Sequence, residues 1–301
     1  MPSVVAIFGP TASGKTAVAE AVADRLGGEV VSADSMQVYA GLPILTAQPS
    51  RPTRLVGVWP LSEAGSVARY ASLAHAAVDE LNAASRVAVV TGGTGLYLRA
   101  ALCDLRLPPA PTPERRAAWS RTYDRLGPER AHAALAARDP AAAARLHAND
   151  RRRVVRALEL TELGSSLRPR TDRLWTAETR LPTMIFGLEL PRDVLASRIE
   201  QRAREMFDAG VVEEARAALD GPISATAVRA LGLRDVAELP WDEALAALVR
   251  RTRRYAAYQR KWMRRIPGLV GVNADRPTNE IAHEIVEMAS ARQRLPAGRA
   301  G

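Results

Sequence analysis

Cysteine, histidine and lysine are scarce in this sequence. Among 301 residues there are one cysteine, Cys103, and four histidines that lie far apart along the chain. A single cysteine excludes an internal disulfide and any zinc site built on several cysteines, and the histidine spacing offers no local metal motif. Lys15 and Lys261 are the only lysines, so almost all of the positive charge is carried by arginine.

Long apolar runs are also missing. No stretch of about 18 consecutive apolar residues occurs, so the sequence predicts no membrane span. The first apolar segment starts close to Met1 and has the length of a strand, which leaves no room for a signal peptide. We therefore expect a cytoplasmic protein with no membrane partner.

Positive charge is in excess, with a formal net charge of +9 and an isoelectric point near 10.5. The arginines are concentrated in two segments, residues 151–156 and 250–265. Such clusters are compatible with a nucleic-acid partner, although each one alone could also be the solvated face of a helix. Two clusters in one chain favour RNA or DNA.

The most specific local pattern follows the first predicted strand. It matches the phosphate-binding P-loop, G-x-x-x-x-G-K-[ST], and leads into a predicted helix. Backbone N–H groups of such a loop surround a phosphate, and the helix N-terminus adds partial positive charge. The lysine would neutralise phosphate oxygens, and the hydroxyl of the last residue would hold Mg²⁺. The eight residues are Gly9, Pro10, Thr11, Ala12, Ser13, Gly14, Lys15 and Thr16.

Strand-like and helix-like patterns alternate over the first hundred residues. The predicted strands are residues 4–8, 29–33 and 87–91. Such alternation predicts a parallel sheet with helices on both faces. The loops at Gly9, Asp34 and Thr94 would then meet at the carboxyl edge of the sheet, where such folds bind ligands. The predicted fold class is α/β: a P-loop NTPase-like parallel sheet flanked by helices, with an inserted all-helical subdomain.

A proline-rich segment, residues 108–113, interrupts this alternation. The chain after it is rich in alanine and arginine, shows no strand pattern up to about residue 163, and is typical of helices. A strand is again predicted at residues 184–190. We therefore predict a core domain at 1–110 and 180–295, a helical insertion at 111–179 and a frayed tail at 296–301.

Two side chains near the P-loop are candidates for chemistry. Asp34 could act as a general base or hold Mg²⁺ through water, or it could cap a turn. Thr94 lies in a glycine-rich turn that could approach a ligand or could be only a tight strand-to-helix connection. The third predicted strand ends in Thr91, whereas motor-type ATPases have a metal-binding carboxylate there. This difference argues against nucleotide hydrolysis coupled to movement.

Arg198 and Arg202 lie one turn apart on a helix predicted at residues 191–207, so they share a face. If they face the P-loop, they would bind a departing diphosphate. If they face outward, they are ordinary surface charges. The spacing leaves both interpretations open.

The order of these motifs resembles the tRNA dimethylallyltransferases. The matching segments are residues 9–16, 34–39, 46–49, 92–97, 139–140, 149–150, 156–159 and 198–214. They extend over nearly the whole chain, and their combination is far more specific than the P-loop alone.

The resemblance implies transfer of a dimethylallyl group from dimethylallyl diphosphate to N6 of the adenine immediately 3′ of the anticodon, in tRNAs that read codons beginning with uridine. The P-loop and Arg198 would bind the diphosphate, with Mg²⁺ at Thr16 and without phosphoryl transfer. Asp34 corresponds to the family's general base, Thr94 to the threonine at the reacting centre, and Arg202 to a diphosphate-binding arginine.

The resemblance also implies where tRNA binds. The helical insertion would hold the anticodon stem-loop, and the protein would act as a monomer. The expected contact residues are Asp34, Ser35, Met36, Gln37, Thr94, Arg116, Arg152, Arg153, Val154, Val155 and Arg156.

Three segments depart from the family pattern. Residues 53–57 stand where the family has His-His-Leu-Ile-Asp, and Leu233 stands where it has tyrosine. Residues 257–262 read Ala-Tyr-Gln-Arg-Lys-Trp instead of Lys-Arg-Gln-x-Thr-Trp. The catalytic set is intact, so these changes bear on RNA contacts near the C-terminus.

Three other functions compete with this one. A P-loop small-molecule kinase, binding ATP, would use Asp34 to activate a hydroxyl acceptor, but such kinases rarely need a basic helical insertion. A prenyltransferase acting on free adenine nucleotides would share the donor site, and the two arginine clusters favour RNA over it. A GTPase-like RNA-binding switch is disfavoured by Thr91 and by the lack of a guanine-reading motif.

Overall fold

A computed structural model describes residues 2–105, 107–108, 112–167 and 173–294. The predicted tail at 296–301 lies outside the described residues. Two compact units are present, and each is described by itself. The core unit comprises residues 1–104 and 174–301, and the helical unit comprises residues 105–173. The boundaries predicted from the sequence lie slightly further along the chain.

The core unit is built on a parallel five-stranded sheet. Its strands are β1 (Val4–Phe8), β2 (Glu29–Ser32), β3 (Ala88–Gly92), β4 (Thr183–Glu189) and β5 (Leu269–Asn273). Their order is β2-β3-β1-β4-β5, and every neighbouring pair is parallel. The predicted α/β fold class is therefore confirmed, and β1, which carries the P-loop at its carboxyl end, is the central strand.

Helices connect these strands and form the whole of the helical unit's regular structure within the described residues. In chain order they are α1 (Lys15–Leu26), α2 (Val67–Ala83), α3 (Gly95–Leu102), α4 (Pro113–Leu126), α5 (Pro128–Arg138), α6 (Pro140–Ala143), α7 (Arg151–Glu162), α8 (Arg192–Asp208), α9 (Val211–Asp220), α10 (Leu233–Glu238), α11 (Trp241–Met263) and α12 (Thr278–Arg294). Within the described part of the chain, none of them has the length and apolar character needed to cross a membrane.

The sheet is held by apolar burial on both of its faces. All five residues of β1 are at most 2 % exposed, because a central parallel strand is covered by helices on both sides. Val18 and Val22 of α1 join the same core cluster as Ile7 and Ile199. This packing fixes the start of α1 directly after β1, and therefore fixes the P-loop between them.

The helical unit has a small core of its own. Tyr123, Leu135 and Leu158 pack there with Val154 and Val155, which are at most 2 % exposed. The two valines therefore pack inside the unit, and their contact with tRNA stays a prediction. A residue of α7 can reach a ligand only from the helix's other faces.

A buried carboxylate joins two arginines within the helical unit. Glu159 is 1 % exposed and accepts hydrogen bonds from Arg116, at 3.1 Å from Nη2, and from Arg156, at 3.2 Å from Nη1. A buried carboxylate is stable when its charge is compensated in this way. Glu159 thus holds in place two of the arginines expected to contact tRNA.

Candidate active site

The loops after β1, β2 and β3 meet at the carboxyl edge of the sheet, as the strand pattern predicts. The Thr94 hydroxyl, in the loop after β3, lies 3.2 Å from the Ser35 hydroxyl and 3.4 Å from the Ser35 backbone nitrogen. Ser35 directly follows Asp34 in the loop after β2. Because β2 and β3 are parallel and adjacent, residues distant in sequence share one site.

The P-loop has the backbone conformation that its sequence predicts. Gly14 has a φ of +82°, and Ala12 has a φ of +63°, which is rare for a residue with a side chain. The Ser13 N–H donates to the Pro10 carbonyl at 3.3 Å. The loop therefore curls tightly before α1, in the way that exposes backbone N–H groups to an anion.

Lys15 points back across this loop. Its Nζ donates to the Pro10 carbonyl at 2.8 Å. Burial and the charge of Arg202 lower the pKa of Lys15 from 10.5 to about 8, and the Asp34 carboxylate partly opposes this shift. Two cations held close together without a bound anion destabilise each other, so the site favours a negatively charged ligand.

Asp34 is oriented by the chain that follows it. Its Oδ1 accepts a hydrogen bond from the Met36 N–H at 2.9 Å, so it does cap a turn. Its other oxygen, Oδ2, has no hydrogen bond to any described residue. Lys15, Arg202 and Tyr255 all lie within electrostatic range of the carboxylate. One oxygen is thus fixed by the turn while the other can accept a proton or a ligand.

The structure separates the roles of Arg198 and Arg202. Arg202 lines a cavity beside Asp34, where burial lowers its pKa and the Asp34 charge partly restores it. Arg198 is about two-fifths exposed and forms an ion pair with Asp275 at 3.4 Å. The sequence left the direction of both side chains open; Arg202 faces the site, whereas Arg198 is partly exposed and paired with Asp275.

The cavity beside Asp34 is lined by both polar and apolar side chains. Its volume is about 90 Å³. The polar lining consists of Thr11, Asp34, Thr46, Arg202, Thr252 and Tyr255. The apolar lining consists of Met36, Leu45, Ile199, Ala203, Met206, Leu231 and Leu248. The lining therefore offers both charged groups and apolar surface to a ligand.

Gln259 of α11 connects two of the active-site loops. Its Oε1 accepts from the Thr11 N–H of the P-loop at 2.8 Å, and its Nε2 donates to the Gly93 carbonyl at 2.9 Å. Gln259 is 2 % exposed. A Cβ at position 93 would lie 2.0 Å from Nε2, so a side chain there would displace the Gln259 amide. This one amide sets the spacing between the P-loop and the Thr94 loop.

Tyr255, one turn before Gln259, reaches the reacting end of the site. Its hydroxyl lies 3.2 Å from the Thr94 hydroxyl. Burial and the nearby Asp34 charge raise its pKa, so it stays a neutral hydrogen-bonding group. Sequence reasoning missed both α11 residues as site components. The available signal was a glutamine in an otherwise arginine-rich, amphipathic segment.

Some residues of the core unit that are predicted to contact RNA already form hydrogen bonds within the protein. The Gln37 side chain donates to the Ala47 carbonyl at 2.9 Å and accepts from the Ser32 hydroxyl at 2.9 Å. It therefore holds the 46–49 segment, another matched motif, against the loop after β2. Met36 lines the cavity, and Ser35 contacts Thr94.

Two comparisons of sequence identify the family. A family description, IPP transferase, matches residues 37–266, and a second, isopentenyl transferase, matches residues 2–55. A protein of Anaeromyxobacter dehalogenans named tRNA dimethylallyltransferase is 40 % identical over 296 residues, which cover 94 % of this chain and 97 % of that protein. The chain therefore belongs to the IPP transferase family.

Solved structures agree with this assignment. The tRNA isopentenylpyrophosphate transferase of Bacillus halodurans has 31 % identity and a TM-score of 0.67, covering 98 % of this chain and 100 % of that one. A eukaryotic dimethylallyltransferase has 22 % identity and a TM-score of 0.79, covering 99 % of this chain and 82 % of that one. The second likeness supports the fold.

The lowered pKa of Lys15 can be tested by NMR, because the chain contains only one other lysine. After reductive ¹³C-methylation, the NMR signals of Lys15 should titrate near pH 8, and inorganic diphosphate should move that titration to higher pH by stabilising the charged form. Lys261, which is exposed, serves as the internal reference. A Lys15 signal that titrates only above about pH 10 contradicts the electrostatics described above.

Replacing Gln259 should lower the stability of the folded protein. Gln259→Ala leaves the Thr11 N–H and the Gly93 carbonyl without their partner, so we expect a loss of about 2 kcal/mol in the free energy of unfolding, measured with urea. Gln201→Ala is the control, because Gln201 is exposed and bonds only to Glu205 among the described residues. An equal loss in both variants would argue against the bridging role.

Proposed function

We propose that this protein transfers the dimethylallyl group of dimethylallyl diphosphate to N6 of the adenine immediately 3′ of the anticodon in tRNA. The observation that carries the proposal is the cavity beside Asp34, where an anion site adjoins apolar side chains. A P-loop supplies an anion site, and the adjoining wall is apolar. A prenyl diphosphate has the same two parts. Membership of the IPP transferase family supports the same reaction.

The diphosphate is assigned to the P-loop. Backbone N–H groups before α1 and the charges of Lys15 and Arg202 would bind its oxygens. The Ser13 hydroxyl is buried and lacks a hydrogen-bond partner in the described residues, so a bound ligand oxygen would satisfy it. Arg198, which is paired with Asp275, would have to exchange this partner for the ligand to bind the diphosphate as well.

This arrangement fits a Mg²⁺ ion that binds together with the diphosphate. No cluster of three carboxylate, histidine or cysteine side chains occurs among the described residues. Mg²⁺ is, however, commonly held by one or two protein oxygens, phosphate oxygens and water. The Thr16 hydroxyl, which has no hydrogen bond within the described chain, would provide such an oxygen. When bound, the ion would neutralise charge on the diphosphate.

The reaction then follows from the positions of the protein's own groups. The adenine N6 forms a bond to C1 of the dimethylallyl group as the bond from C1 to the diphosphate oxygen breaks. The proton of the amino group moves to Asp34, whose Oδ2 is not engaged by the described residues. The Thr94 hydroxyl, held by Ser35 and Tyr255, would orient the amino group. The diphosphate leaves with its electron pair, stabilised by Lys15 and Arg202.

The rival functions fit this site less well. A small-molecule kinase needs a polar acceptor site beside the terminal phosphate, whereas the wall here is mostly apolar. At the end of β3, the Thr91 hydroxyl donates to the Ile7 carbonyl at 3.2 Å, so that position tethers two strands. This gives no support to a nucleotide-hydrolysing switch. A donor site of this shape would also serve a prenyltransferase of free nucleotides, which makes the acceptor the decisive test.

The arginines expected to contact tRNA are assigned within the helical unit. Arg116 and Arg156 are held by Glu159, and Arg153 is paired with Asp150 at 3.5 Å with its side chain 68 % exposed. With Arg152, these side chains present positive charge suited to the phosphates of an anticodon stem-loop. The cytoplasmic location and the monomeric state expected from the sequence remain predictions.

The acceptor is tested with labelled dimethylallyl diphosphate and unmodified tRNA, AMP, or ATP with small acceptors. We expect label in tRNA alone. Asp34→Asn should lower kcat by about 10³-fold, because a positioned base typically contributes about 10² to 10⁴, while tRNA binding stays measurable. Asp193→Asn is the control, because it makes the same substitution at an exposed position on α8. Label in AMP but not in tRNA, or normal turnover by Asp34→Asn, would reject the corresponding part of the proposal.

A further inference from the structure

An irregular part of the core unit, residues 42–48, forms part of the wall of the cavity beside Asp34. Leu45 and Thr46 line that cavity, and Leu45 is 7 % exposed. We call residues 42–48 the wall segment. It belongs to no strand or helix, so the sheet does not fix it. Ala47 has a φ of +47°, which a residue with a side chain keeps only when its surroundings hold it there. The position of the wall segment therefore depends on contacts from other elements.

The backbone of the wall segment forms a single turn. The N–H and the hydroxyl of Thr46 both donate to the Leu42 carbonyl, at 3.1 and 2.7 Å. At the start of a helical turn, the first N–H groups have no carbonyl partner within the turn. The N–H groups of Ile44 and Leu45 are in this position, so they need an acceptor from elsewhere in the protein.

Glu214 in the first turn of α9 supplies that acceptor. Its Oε2 accepts from the Ile44 N–H at 2.8 Å, and its Oε1 accepts from the Leu45 N–H at 2.7 Å. Both carboxylate oxygens are thus used on two consecutive N–H groups that are 170 and 169 residues away in the sequence. Hydrogen bonds to a carboxylate are about twice as strong as those between neutral groups. The pair fixes the orientation of the wall segment as well as its distance from α9.

The helix before α9 carries further parts of the same cavity. Arg202 and Ala203 of α8 line it, and α9 is the next element along the chain. Leu45 and Ala203 belong to one apolar cluster. Glu214 therefore ties an apolar residue of the wall segment to the pair of helices that carries the diphosphate-binding Arg202.

We propose that Glu214 is a positioning residue for the prenyl donor. By holding the N–H groups of Ile44 and Leu45, it fixes the apolar wall against which the donor's hydrocarbon group packs, and so favours a prenyl diphosphate over diphosphate alone. The inference rests on the proposed function for the identity of the donor. Apolar burial is non-directional, so the packing of Leu45 holds the wall segment near its cluster without setting its orientation. The carboxylate supplies that orientation.

Glu214→Gln tests this role with little change in side-chain volume. A glutamine has one acceptor oxygen, and its NH₂ group would face an N–H group, so one of the two hydrogen bonds is lost. Glu213→Gln is the matched control, because Glu213 is exposed in the same first turn of α9 and its replacement removes the same charge. Thermal melting checks that both variants fold.

The first measurement is isothermal titration of each variant with dimethylallyl diphosphate and with inorganic diphosphate. Glu214→Gln should bind dimethylallyl diphosphate about tenfold more weakly, the scale of one hydrogen bond to a charged group. Its affinity for inorganic diphosphate should stay unchanged, because the P-loop is intact. In the transfer assay, the KM for the donor should rise while the KM for tRNA stays the same. Glu213→Gln should behave as the wild type throughout.

The second measurement tests the geometry without any ligand. Amide hydrogen exchange at Ile44 and Leu45 should be about tenfold faster in Glu214→Gln than in the wild type or in Glu213→Gln, because the turn opens more often. Unchanged exchange overturns the inference, as does a Glu214→Gln variant that keeps the wild-type preference or loses affinity for both diphosphates equally. A wild-type protein that binds the two diphosphates equally would reject the proposed donor itself, and the inference with it.

Discussion

The Gln259 amide holds the P-loop and the Thr94 loop at a fixed separation, and the active site depends on that separation. One side chain accepts from Thr11 and donates to Gly93, although the two loops lie far from it in sequence. The P-loop contributes charge, whereas the loops after β2 and β3 contribute Asp34 and Thr94. Because a parallel sheet brings these loops to one edge and Gln259 connects two of them, the groups for the anion and those for the acceptor lie at the same edge.

Sequence patterns were sufficient for the sheet, the P-loop and the position of Asp34. Alternating strands and helices have clear periodicity, and the P-loop spacing is fixed by how backbone N–H groups surround a phosphate. The contribution of α11 could not be predicted in this way. Gln259 and Tyr255 act through hydrogen bonds to residues more than a hundred positions away, and no local spacing encodes such a contact. The direction of Arg198 and Arg202 was undetermined for the same reason, since both lie on one helix face and only packing separates them.

Arginine is used for at least two purposes here, and composition alone does not distinguish them. Arg116 and Arg156 are held by a buried carboxylate, and Arg251 and Arg253 are compensated by neighbouring helices. The excess charge that can act on a distant polyanion belongs to the unpaired residues. The burial of Val154 and Val155 makes a related point, because residues within a matched binding segment can serve the core of their own unit.

The central claim is that this P-loop binds a prenyl diphosphate, although its motif alone would indicate ATP. Isothermal titration of the wild-type protein with dimethylallyl diphosphate, inorganic diphosphate and ATP, each with Mg²⁺, tests it most directly. The apolar wall of the cavity should make dimethylallyl diphosphate bind about 10²-fold more tightly than inorganic diphosphate, the gain expected from burying a few carbon atoms. ATP should bind more weakly than the prenyl donor. Tighter binding of ATP, or equal binding of the two diphosphates, would contradict the account.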